Sequence, residues 1–190
     1  MTRDLGAKRP QVHEAARQVL DFWFALTTDQ HFAVDVALDR TIADRFGALH
    51  AEVTATRAAE WADDPETLLA AIIVLDQFSR NTFRGSAEAF AQDALATELT
   101  LHAIEQGWDT AMPPEHRVFL YLPLMHAEDM ALQKLSVAKY EALGIENNLD
   151  FARKHRDVIA RFGRYPARNA ALGRVTTSEE QAFLDEGGGW

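Results

Sequence analysis

The chain has 190 residues, no cysteine, 47% hydrophobic and 25% charged residues, and a formal net charge of −10. That size suits a single domain able to bury about 70% of its unfolded surface without a disulfide or metal staple, and the missing cysteines remove disulfides, zinc–thiolate sites, iron–sulfur clusters and thiol nucleophiles together. The negative balance argues against broad binding to nucleic acid or to anionic membranes.

No apolar stretch precedes Val19, and the longest apolar run, Leu68 to Leu75, is eight residues, where a membrane span needs about 20. A cytoplasmic protein without membrane contact is expected.

Residues 1–10 are polar and end in Pro10, which reads as a loose leader. Val12, Ala16, Val19, Leu20, Trp23 and Phe24 then recur at helical spacing and predict a helix over about 11–26. Ile42, Phe46, Leu49 and Val53 give a second apolar stripe, over about 35–57. Asp64 and Pro65 open a third helix as cap and first residue. Its body, LLAAIIVLDQF, is apolar on nearly every face and marks a central helix ending near Ser79–Asn81.

Ser86 is expected to cap a fourth helix, about 87–106, ended by Gly107. A short fifth helix over about 114–122 is expected to be interrupted by Pro123, with a sixth running on to Leu143 and stopping at Gly144. Asn147 or Asn148 would cap a seventh helix, closed by Gly163. Pro166 permits a helical turn before Gly173, and Thr177 with Glu180 forms a capping box for a last helix over about 178–186. The tail GGGW (187–190) is expected to fray.

No segment alternates with period two over more than a few residues, and no Asn-Gly or Asp-Gly hairpin occurs. The reading is all-α: one domain over 1–190, about eight helices, in antiparallel hairpins forming a bundle or solenoid-like stack.

The basic residues are 15 arginines and four lysines, a skew toward the side chain that binds carboxylate and phosphate bidentately. Residues 153–174 hold seven of them and one acid, Asp157, so a segment of +6 sits in a remainder of −16. A shorter echo, DQFSRNTFRG at 76–85, resembles RFGRYPARNAALG at 161–173: each has Phe, then Arg two residues later, then an Arg-Asn pair, then Gly. The Arg84-Gly85-Ser86 junction has the form of an anion cradle before a helix start. Two compatible readings stand: an anion site built from Arg80, Asn81, Arg84, Arg164, Arg168, Asn169 and Arg174, or a structural network in which Asp76, Glu128, Asp129, Glu179 and Glu180 pair with the arginines.

Of the seven histidines, His126 and His155 have suggestive neighbours. On one helix, His126 and Asp129 would share a face at i, i+3. His155 precedes the arginines. With Glu128 these are the candidates for acid–base chemistry. The carboxylate and histidine pairs that a bundle metal site needs are missing, so no metal and no cofactor is expected. No Walker or dinucleotide loop, no G-x-S-x-G and no H-E-x-x-H occurs.

The stretches LDFWF (20–24), LDQFSRNTFRG (75–85), FLYLPLMHAED (119–129) and HRDVIARFGRYPARNAALGRVTTSEEQAFL (155–184) are together similar to the bacterial domain-of-unknown-function family numbered 924. The resemblance spans about 15–185. It implies an all-helical, tetratricopeptide-like fold and no particular activity. The signature positions it carries are Asp76, Gln77, Arg80, Asn81, Arg84, His126, Glu128, His155, Arg164, Arg168, Asn169 and Arg174.

Two functions follow as expectations. The first is a binding module whose arginine-lined groove takes an acidic peptide or a small anion. The second is a small-molecule enzyme acting on a phosphate- or carboxylate-bearing substrate, with His126 or His155 as acid or base. The stretches 76–84, 126–129 and 155–174 are expected to meet, because their polar residues lie among strongly apolar neighbours and must be buried beside partners.

Overall fold

The computed structural model describes residues 5–189, and every regular element among them is helical. No described helix is long and apolar enough to cross a membrane. The described residues divide into two compact units: those up to 84 with 88–112, and 85–87 with those from 113 on.

In the first unit α1 spans Leu5–Phe24 and contains Pro10. It therefore starts ahead of the expected residue 11, and of the leader only 1–4 lies outside the described residues. A short helix that the periodicity did not announce follows, α2, Thr28–Phe32, opened by a capping box between Thr27 and Gln30. Asp35 caps α3, Val36–Ala55, through the Ala37 and Leu38 N–H groups.

Asp64 caps α4, Pro65–Ile72, as its sequence predicts. The helix then widens into a π-helical segment, Ile73–Phe78, before closing as α5, Ser79–Thr82. All six residues of the π segment are buried. Such widened turns are held by packing on every side rather than by local preference. Trp23, Phe46 and Phe78 meet here, with ring centroids 5.7 Å apart for Trp23–Phe78 and 4.9 Å for Phe46–Phe78.

The fourth helix begins later than expected. Ser86 precedes a 3-10 turn, Ala87–Phe90, and α6 spans Asp93–Glu105, with Gln92 at the cap position. Gly107, at φ 72°, takes the left-handed conformation that ends it.

In the second unit α7 runs unbroken over Pro114–His126 with Pro123 inside it, so Pro123 does not interrupt the helix. Residues 118–125 are all buried, and that packing outweighs the roughly 3 kcal/mol cost of an internal proline. The break falls at Ala127, and Asp129 caps α8, Met130–Leu143. Gly144 ends α8, and α9 spans Glu146–Phe162, with Ile145 rather than Asn147 or Asn148 at its cap position. The short connections between α7, α8 and α9 return the chain antiparallel.

Tyr140 of α8 donates its hydroxyl to the Val118 carbonyl at 2.8 Å and meets the Tyr121 ring edge-on at 5.8 Å. After Gly163 a 3-10 turn, Pro166–Arg168, leads to α10, Ser178–Asp185, opened by the Thr177–Glu180 capping box. The tail is not simply frayed. The N–H groups of Gly187 and Gly188 return to the Leu184 and Phe183 carbonyls, and a Cβ at Gly188 would overlap the Phe183 ring. Trp190 lies outside the described residues.

Candidate functional site

In the first unit the polar residues gather where the π segment gives way to α5. The Asp76 side chain is 1% exposed and takes Arg80 Nη1 at 2.9 Å. Arg80 also grips Asp93, at the start of α6, with Nη1 on Oδ1 at 3.0 Å and Nη2 on Oδ2 at 3.1 Å. Arg84 forks onto Asp39 of α3 through Nε and Nη2, both at 2.8 Å, and Asn81 Nδ2 donates to the same carboxylate at 2.7 Å. Burial alone would raise the Asp39 carboxyl, but the bonds from Arg84 and Asn81 outweigh it and hold the group below its ordinary range. Asp39 and Asp93 are partners that the sequence did not reveal, since no local signal links them to arginines 45 and 13 positions away.

In the second unit the stretches 126–129 and 155–174 do meet. Tyr165, buried, organises them. Its hydroxyl donates to the Met125 carbonyl, its N–H donates to Glu128 Oε1 at 2.8 Å, and Arg168 lies over its ring at 4.6 Å. Arg168 Nη2 donates to the His126 carbonyl at 2.8 Å. The His155 ring is 5.6 Å from Tyr165 and 6.4 Å from His126. His155 Nδ1 donates to the Phe151 carbonyl at 2.8 Å. Gln133, fully buried, reaches the Met125 and Ala127 carbonyls and the Tyr165 hydroxyl, each at 2.7 Å. Tyr165 and Gln133 were not singled out in the sequence; the aromatic Tyr165 beside Pro166 was the available hint.

Arg174 forks onto Glu128, with both bonds at 2.8 Å. Burial would raise the Glu128 carboxyl; the Arg174 bonds, the Tyr165 N–H and the charges of Arg174 and Arg168 carry it below its usual range instead. Arg164 grips Glu180 at 2.6 and 2.9 Å, and Asn169 Nδ2 reaches the same carboxylate at 3.2 Å. The Arg164 bond first, and the Thr177 N–H next, lower the Glu180 carboxyl to about 2.

The +6 segment is thus largely answered by acids. Arg161 reaches Glu179 at 2.9 Å and Arg156 reaches Asp157 at 2.7 Å. Glu128, Glu179 and Glu180 are arginine partners as expected. Asp129 instead caps α8, its Oδ1 accepting the Ala131 and Leu132 N–H groups. Because the chain leaves the helix between them, His126 and Asp129 do not share a helical face. Among the described residues no group of three or more histidines and carboxylates is placed to hold a metal.

An all-helical protein whose arginines tie one helix to another through carboxylates is the class defined by this fold and these contacts. The chain belongs to the family described as "Bacterial protein of unknown function (DUF924)", whose model matches residues 19–188. It is similar to the solved structure of protein of unknown function ATU0120 from Agrobacterium tumefaciens, at 40% identity and a TM-score of 0.88, over 92% of this chain and 99% of that one. Nothing among the curated proteins matches it.

Proposed function

We propose that this protein is a binding module of tetratricopeptide-like build, and that its second unit takes a compact anion at His126, His155 and Arg168. The anion is a phosphate, or a carboxylate of an acidic peptide or small ligand. The observation that carries this reading is the gathering of two imidazoles, 6.4 Å apart, with Arg168 bonded to the His126 carbonyl. Arg168 supplies charge-assisted hydrogen bonds to an oxyanion, and the His155 ring, its Nδ1 held by the Phe151 carbonyl, joins it through Nε2 when protonated.

Arg80, Arg84, Arg164 and Arg174 each fork onto a carboxylate, and Asn81 and Asn169 support two of those carboxylates. In this reading they brace the scaffold around the site. The enzymatic alternative is weaker because Glu128 is held ionised by Arg174 and the Tyr165 N–H, which makes it a poor proton carrier near neutral pH. We place the module in the cytoplasm, without cofactor or nucleic-acid partner, in keeping with a net charge of −10. We also take residues 1–190 as one folding domain, for which a single calorimetric transition, with equal calorimetric and van't Hoff enthalpies, is the check.

The test is calorimetry in inorganic phosphate against chloride at matched ionic strength. Phosphate should raise Tm more than chloride does. Arg168→Gln should erase the difference, and Arg84→Gln should leave it. Equal Tm in the two salts, or a phosphate effect that survives Arg168→Gln, overturns the proposal.

A further inference from the structure

In the first unit α2 buries none of its residues. A helix of five residues has no stability of its own in water. This one is nevertheless fixed at three points. The Thr27–Gln30 capping box closes its start. The Ala33 N–H returns to the Asp29 carbonyl at 2.8 Å. His31 Nε2 donates to the Trp23 carbonyl at 2.8 Å, with its ring 4.7 Å from the indole.

What these clamps hold in place is an apolar strip facing water. Of the six large hydrophobic side chains exposed among the described residues, three fall within five positions: Phe32 at 56%, Val34 at 70% and Val36 at 69%. An open groove of about 440 Å³ is lined by the two valines with Ala33 and Ala37, and by Asp29, Gln30 and Asp35; Phe32 is outside its lining. Scattered exposed hydrophobics are ordinary, but exposed valines gathered in one groove mark a contact surface.

We infer that this strip is a docking surface for a partner segment with an apolar ridge flanked by lysine or arginine. The charges select that partner. Asp35 spends its Oδ1 on the Ala37 and Leu38 N–H groups, and neither Asp29 nor Asp35 is paired with a cation among the described residues. A basic flank would meet both carboxylates. Arg40, one turn further along α3, is outside the groove lining. A second copy is disfavoured, because its strip would bring two more aspartates into the contact and no basic side chain of the groove lining to answer their repulsion. An anionic lipid surface meets the same repulsion.

The test uses a fluorescent amphipathic helical peptide of leucine and lysine, its leucine–glutamate counterpart, and the full chain as wild type, Val34→Asp and Val36→Asp. Both valines are exposed, so the variants should fold, and circular dichroism checks that. Each substitution adds a negative charge, so it strengthens diffuse attraction of a basic peptide but disrupts apolar docking on the strip. The expected result is that the leucine–lysine peptide binds the wild type, that each variant weakens it by about tenfold or more, and that the glutamate peptide does not bind. Unchanged or tighter binding to the variants overturns the inference. So does a wild-type dimer in sedimentation that Val34→Asp dissolves, which assigns the strip to a second copy. So does binding to anionic vesicles that Val34→Asp abolishes, which assigns it to lipid.

Discussion

Glu128 and Arg174, 46 positions apart, meet fork to fork, with Nη1 on Oε1 and Nη2 on Oε2, each at 2.8 Å. The pair fastens the chain ahead of α10 to the connection between α7 and α8. The same carboxylate also receives the Tyr165 N–H, so one side chain fixes two points of the segment 165–174.

Removing the Glu128 carboxylate should therefore loosen that whole segment. Glu128→Ala is expected to cost about 2 kcal/mol, the scale of hydrogen bonds to a charged group. Glu128→Gln should cost less, because it keeps an acceptor. Urea midpoints measure both. Amide exchange should rise at Tyr165 and Arg174 in the alanine variant, and unchanged protection there would show that the pair does not hold the segment.

Arg80 and Arg84 should differ. The Arg80 side chain is 20% exposed and neutralises an Asp76 side chain that is 1% exposed, so Arg80→Ala takes a cation away from a buried carboxylate and should cost about 3 kcal/mol. Arg84 is 40% exposed, and Arg84→Ala should cost about 1 kcal/mol or less. Paired urea melts should show the larger fall for Arg80; the reverse order would contradict the burial argument.

Glu180 sets an acid limit on stability. Its pKa falls from the ordinary 4.5 to about 2 in the folded chain, the Arg164 bond being the leading cause. The folded state thus favours the ionised form. Its contribution is complete above about pH 4.5 and disappears as pH drops toward 2. Glu180→Gln should lower the urea midpoint at pH 7 and flatten the acid slope between those limits. A wild-type slope retained in the variant would assign acid sensitivity elsewhere.

His50 acts at milder pH. It is buried, bonded to Ser79 Oγ at 2.7 Å while that hydroxyl donates to the Leu75 carbonyl, and burial lowers its pKa below 6.5. The fold favours neutral imidazole, so this contribution is complete above pH 6.5 and is lost as pH falls through the lower folded value. His31 shifts in the same direction, burial outweighing its bond to the Trp23 carbonyl. Thermal melts at pH 7.5 and about pH 5 should show a smaller difference in His50→Gln than in the wild type, and smaller again with His31→Gln added.

What the sequence determined by itself was local. The Asp64-Pro65 start, the Thr177–Glu180 capping box and the glycine ends at Gly107, Gly144 and Gly163 occur as read, because caps and left-handed turns depend on a few adjacent residues. The family was legible for a related reason: its signature is a set of short motifs, and the matched model spans 19–188. Tertiary structure decided the rest. Pro123 stays inside α7, and the third helix widens over Ile73–Phe78, because every residue around them is buried and packing overrides local preference. It also chose the arginine partners. Asp39 and Asp93 carry no mark that separates them from other acids, and Asp129 resembles a partner of His126 until the chain turns between them. A carboxylate's role follows from which cation or N–H group the folded backbone brings within about 3 Å of it, and that distance is set by packing between elements far apart in sequence.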